Sequence, residues 1–274
     1  MNIHSLYLDF FKFLEGLSLQ SENWATYSAL YYQPHRDFLD AYFSRFPLMD
    51  FSNLINRVKA VKSADYAQLK NLVSVCPPEK IIRDAYKVCR EIVSPQEDPD
   101  VYLMVGFFSP EGFVMNFKGK PVICFGLERF RDFNLLKILF AHEYAHYLLN
   151  WGRGEVPEDK EFIWLLVSEG IGTCFSQYAF PDHKLSDHLL FRRDKLNWCQ
   201  ENESLLRDIC CSKKYSENDL MDFYAKGSPD LNLPPRAAKY LGYLAVKKHL
   251  EQQKENTSFG SLFTDKNLVL SIDL

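Results

Sequence analysis

Residues 135–149 place two histidines and a glutamate in the middle of an apolar helix, and this segment restricts the fold more than any other. Leu135, Leu136, Ile138, Leu139, Phe140, Leu148 and Leu149 surround His142, Glu143 and His146. A helix that is apolar on all sides belongs inside a protein, not on its surface. Three titratable side chains in that setting are costly to bury unless the fold brings something to pair with them. Asp132 or Asn134 is suited to cap the helix, which is expected to run to about Asn150, with Gly152 and Gly154 beyond its end.

The rest of the chain reads as mostly helical. In residues 1–76 apolar positions recur every three or four residues, as in Leu6, Phe10, Phe13, Leu14 and Leu17, with breaks near Gly16, Pro34 and Pro47. Pro77 and Pro78 open a helix expected from Glu79 to Val93. From Val101 the period changes. Val101–Phe107, Phe113–Phe117 and Pro121–Phe125 read as short strands, with a turn at 109–112 and a hairpin around Gly119, which predicts a three-stranded meander. Helices are then expected from Pro157 to about Ala179, in several pieces over 184–226, and from Pro234–Pro235 to about Leu250. The predicted fold class is α+β, mainly α. A helical region over 1–76 precedes a catalytic-type domain over 77–274 that carries the small sheet. Aromatic residues make up 15% of the chain, so Phe and Tyr are expected to fill much of the core.

His142-Glu143-Tyr144-Ala145-His146 is a His-Glu-x-x-His motif. On a helix, residues i and i+4 share a face, so the two imidazoles can meet one Zn2+ ion at about 2.0–2.1 Å each. Glu143 sits beside that face, able to reach a water on the metal without binding the metal itself. Zinc brings the pKa of such a water toward about 7, and Glu143 would accept its proton. A third protein ligand is needed. An extended motif would place a histidine at 152, which is Gly152; a Gly-Thr-x-x-Asp pattern beginning at Gly172 would need an aspartate where the chain has Ser176. Glu169 remains. It lies on the next helix, between Leu165-Leu166-Val167 and Ile171, where an inward carboxylate wants a cation. Gly170 and Gly172 weaken that helix, a cost offset if they let helices approach closely.

With those residues in hand a resemblance can be stated. His-Glu-x-x-His followed by Glu-Gly on the next helix resembles the gluzincins, the thermolysin-like zinc peptidases with a glutamate third ligand. From Val101 to about Leu250 the chain also resembles a bacterial family of predicted zinc-dependent proteases. That family joins a strand hairpin, these two helices and a late Pro-Arg…Tyr-x-Gly-Tyr helix, here Pro235 to Tyr243. The resemblance implies zinc on His142, His146 and Glu169, a base and acid role for Glu143, and a peptide or protein substrate. In thermolysin-like enzymes an aspartate four residues after the ligand glutamate often orients the first histidine. Here that position is Thr173, whose hydroxyl would have to accept the bond.

Arg236, Tyr240, Tyr243 and Lys247 fall on one stripe of the last expected helix. Tyr240 or Arg236 could hydrogen-bond a developing oxyanion; an ordinary amphipathic contact face accounts for the stripe equally well. Pro121–Phe125 is expected at the sheet edge, open to an extended peptide. His183 and His188 read as surface histidines. The seven cysteines lack a framework spacing and read as reduced, small hydrophobes. The net charge of −4 argues against nucleic acid as a partner. No stretch approaches a membrane span and no secretory signal is evident, so the expectation is a cytoplasmic protein, export without a cleavable signal being compatible with the same sequence. The rival readings are a catalytically silent zincin-like scaffold or binding module, and a metallohydrolase of non-peptide amides.

Overall fold

The computed structural model describes residues 1–17, 23–45, 51–107, 110–151, 156–211, 214–252, 259–264 and 272. The breaks or turns expected at Pro47, Ser109, Gly152 and Gly154 lie outside these residues. The described chain is mainly helical with one small sheet, as the α+β reading requires. It groups into two compact units. One holds Met1–Arg83 and Gln96–Leu136, the other Asp84–Pro95 and Lys137–Leu274. This grouping cuts the chain differently from the 1–76 and 77–274 division.

The first unit contains the sheet, which has four strands, not the expected three: β1 (Asn2–Ser5), β2 (Asp100–Met104), β3 (Gly112–Phe117) and β4 (Lys120–Gly126). Their order is β1-β2-β4-β3, with β1 parallel to β2, β2 parallel to β4, and β3 antiparallel to β4. Only β3 and β4 form a hairpin, turned by Lys118 (φ 51°) and Gly119 (φ +79°), two left-handed residues that suit a tight hairpin. The meander is therefore corrected, and so is the edge position of Pro121–Phe125. β4 is paired on both sides, and Pro121 to Gly126 are all buried. A continuous apolar run such as Val122-Ile123-Cys124-Phe125 is what a strand covered on both faces needs. β1 also corrects the view of residues 1–76 as helical throughout.

The N-terminal helices of this unit are tied to the sheet by aromatic side chains. Phe10 packs edge-on against Phe13 and Tyr31, and Phe13 against Tyr27, all four fully buried. The Tyr31 hydroxyl donates to Val105 O at 3.0 Å, just past β2, and lies 3.2 Å from Val105 N. Tyr42 donates to Gly106 O at 3.3 Å. Rings that also bond the backbone satisfy strand-end polar groups that would otherwise be buried unpaired.

The second unit is built on three helices. The motif helix runs Leu136–Trp151, the carboxylate helix Glu161–Ala179, and the lysine helix Lys239–Gln252. Along the motif helix Ile138, Phe140, Ala141, Tyr144 and Ala145 are wholly inaccessible, as expected for a helix apolar all round. Tyr86 packs edge-on against Phe140 and Tyr144, and Tyr144 donates its hydroxyl to Val93 O at 2.8 Å. The carboxylate and lysine helices cross at glycines. A Cβ on Gly170 would collide with Gly242 O, and one on Gly242 with Leu166 O. Both obstacles are backbone, so no side-chain rearrangement can relieve them. We expect Gly242→Ala to destabilise the protein by about 1–3 kcal/mol. In urea titrations the midpoint should fall with the slope unchanged; an unchanged midpoint would mean the crossing is looser than described.

One smaller point differs from the sequence reading, and the cysteines agree with it. His188 is fully buried, not a surface histidine: its Nδ1 lies 3.1 Å from Ser176 Oγ, and burial pushes its pKa down to about 4. The cysteines are all free thiols, and Cys89, Cys124, Cys174, Cys199 and Cys210 are buried. Among the described residues no helix is long and apolar enough to cross a membrane.

Candidate metal centre

The motif helix presents His142 and His146 one turn apart, with the Nε2 atoms 3.1 Å from each other. Glu169 comes in from the carboxylate helix. Its Oε2 is 3.3 Å from His142 Nε2 and its Oε1 is 3.8 Å from His146 Nε2. One donor atom from each of the three residues lies within 4.8 Å of the other two. Donors bound tetrahedrally to zinc at about 2.0–2.2 Å would stand about 3.3–3.6 Å apart, so the observed separations fit one such ion. His142 is buried, while His146 and Glu169 are half-buried and leave the cluster a side toward solvent.

The surroundings suit this donor set. A Cβ on Gly172 would come within 2.7 Å of His142 Cε1 and Nδ1, so only a glycine leaves room for the imidazole. Burial pushes His142 down to about 3, helped by the charge of Lys239, and burial also lowers His146. Burial alone would raise Glu169, but Lys239 and the two imidazoles outweigh it and hold the carboxyl well below its ordinary value. Neutral imidazoles and an ionised carboxylate are the protonation states that a divalent ion binds.

The orienting role open to Thr173 is not the one it fills. Its hydroxyl donates to Glu169 O at 2.8 Å, one turn back in its own helix, and His142 Nδ1 is buried without a hydrogen-bond partner among the described residues. Glu143 is buried beside His142.

The last-helix candidates separate. Arg236 has φ 59°, which no α-helix accommodates, so the regular helix starts only at Lys239 and the stripe drawn from Arg236 is broken. The exposed Arg236 donates its backbone N–H to Tyr224 O at 2.7 Å. Tyr240 is buried against Tyr243, in the field of Glu203, Cys199 and Arg207.

Two residues outside the predicted set stand at the cluster instead. Lys239 is 4% exposed, with Nζ 2.9 Å from Glu169 Oε2 and 3.4 Å from His142 Nε2. Tyr224 lies in the field of Glu169 and Glu143; burial first, then these two carboxylates, hold its pKa well above the ordinary value. The clue to Lys239 was its spacing. It stands three residues before Gly242 and seven before Val246, both of which meet Gly170, so the lysine lies on the face turned to the carboxylate helix. Nothing local marks Tyr224. No protein-family description, curated protein or solved structure matches the chain.

Proposed function

We propose that this chain is a zinc-dependent hydrolase of peptide bonds, with the metal held by His142, His146 and Glu169. The observation that carries this reading is the convergence of three donors of the right chemistry from two helices, with a second carboxylate, Glu143, next to the first donor in the chain. A zinc ion held there would supply Lewis acidity to the scissile carbonyl and to the attacking water. Glu143 accepts the proton of the attacking water and returns it to the leaving amine. Tyr224 is the phenol coupled to the cluster, and this reading gives it the donor role toward the oxyanion that the sequence had offered to Tyr240 or Arg236. A non-peptide amide would use the same residues, and substrate profiling separates the two.

Lys239 favours a second reading. An ammonium 2.9 Å from Glu169 already balances the carboxylate, as a catalytically silent scaffold without metal would require. Zinc content decides between them. The hydrolytic reading expects the purified chain to hold equimolar zinc after dialysis and to cleave members of a fluorogenic peptide library. A strong chelator should abolish cleavage and added zinc should restore it. Failure to retain zinc at micromolar free metal, or cleavage indifferent to the chelator, would overturn it.

A further inference from the structure

Lys239 is the buried group that the hydrolytic scheme leaves without a task. Its ammonium contacts two of the three donors, Glu169 Oε2 at 2.9 Å and His142 Nε2 at 3.4 Å. A lysine ammonium has hydrogens to give and no lone pair. An ammonium can meet His142 Nε2 only through that nitrogen's lone pair, the pair a metal would need. The helix carrying Lys239 is pinned by the Gly170–Gly242 crossing and cannot back away as a body. Only the flexible four-carbon stem can move.

We propose that Lys239 is an internal competitor for the metal. It occupies the His142 and Glu169 donors in the metal-free protein and must leave them for an ion to bind. Resting on the reading of the cluster as a metal centre, this makes loading an exchange of one cation for another. The metal-free chain keeps its donors paired and its carboxylate neutralised. A weakly coordinating ion such as Mg2+ cannot displace the ammonium, and the free zinc needed to load the site is raised.

The test compares the full-length chain with Lys239→Met and Lys239→Gln. Zinc affinity is measured by competition with a chromophoric chelator, and the chelated forms are melted in parallel. Both variants should bind zinc at least tenfold more tightly than the wild type. Both should melt lower when metal-free, because Glu169 has lost its partner, and zinc should close the gap. Gln keeps a polar group at the position if Met does not fold. Equal or weaker zinc binding by a variant with wild-type far-UV circular dichroism overturns the exchange while leaving the metal centre standing. Absence of zinc binding in all three proteins removes both.

Discussion

Glu143→Gln is expected to keep its zinc and lose hydrolysis by a factor of about 10²–10⁴. The amide matches the carboxylate in shape, so the buried position beside His142 is still filled. None of the three donor atoms belongs to residue 143, so metal content should not change. What disappears is the ability to take a proton from water and hand it to the leaving nitrogen. A loss of that size is about 3–5 kcal/mol of transition-state stabilisation. It should fall on kcat, with KM little affected, because a base that acts on water contributes little to holding the substrate. The measurements are zinc content by elemental analysis and steady-state kinetics on a cleaved peptide. Undiminished kcat would remove Glu143 from the chemistry. A parallel loss of zinc would mean that the residue supports the metal and is not the base.

What the sequence made legible, and what it hid, divides along physical lines. The motif and carboxylate helices were legible as long apolar runs at helical spacing, and the carboxylate helix ends at Ala179 before Phe180–Pro181; their starts were not, since the regular helices begin at Leu136 and Glu161, after the expected caps at Asp132 or Asn134 and the expected start at Pro157. The β3–β4 hairpin was legible because Gly119 marks a turn needing positive φ. The clustering of His142, His146 and Glu169 was legible because titratable residues amid apolar neighbours must find one another. Hidden features depended on partners distant in sequence. β1 has only four residues, too few to show a period, and pairs with a strand almost a hundred positions later. The place of β4 between β2 and β3 is a crossover that no local pattern encodes. Lys239 was hidden by the left-handed Arg236, which moves the start of the last helix to Lys239 and breaks the stripe that began at Arg236. Tyr224 and the burial of His188 likewise follow from packing alone.

Glu169→Gln should weaken zinc binding by at least about 100-fold, more than loss of an outer-shell partner usually costs. The carboxylate serves three neighbours at once: it faces both imidazoles and accepts from Lys239. An amide of the same shape keeps the packing and loses the charge. Two imidazoles alone leave a zinc ion short of the three protein ligands that a hydrolytic site uses. The same substitution strands the Lys239 ammonium, 4% exposed, without its counter-ion. Breaking a buried pair from one side costs about 3–5 kcal/mol, so the metal-free protein should also unfold at lower denaturant. The two effects can be pulled apart. Adding Lys239→Met to Glu169→Gln removes the stranded charge and should recover much of the stability, with a coupling of about 0.5–3 kcal/mol in a double-mutant cycle. It should recover at most the part of the zinc affinity that the competing ammonium withheld at His142, since the carboxylate donor is still missing. If the double variant bound zinc as tightly as Lys239→Met alone, the weak binding of the single variant would trace to the stranded ammonium, and Glu169 would be a counter-ion for Lys239 and not a ligand. Full-strength zinc binding by Glu169→Gln itself would take the glutamate out of the donor set, and with it the likeness to zinc peptidases whose third ligand is a glutamate.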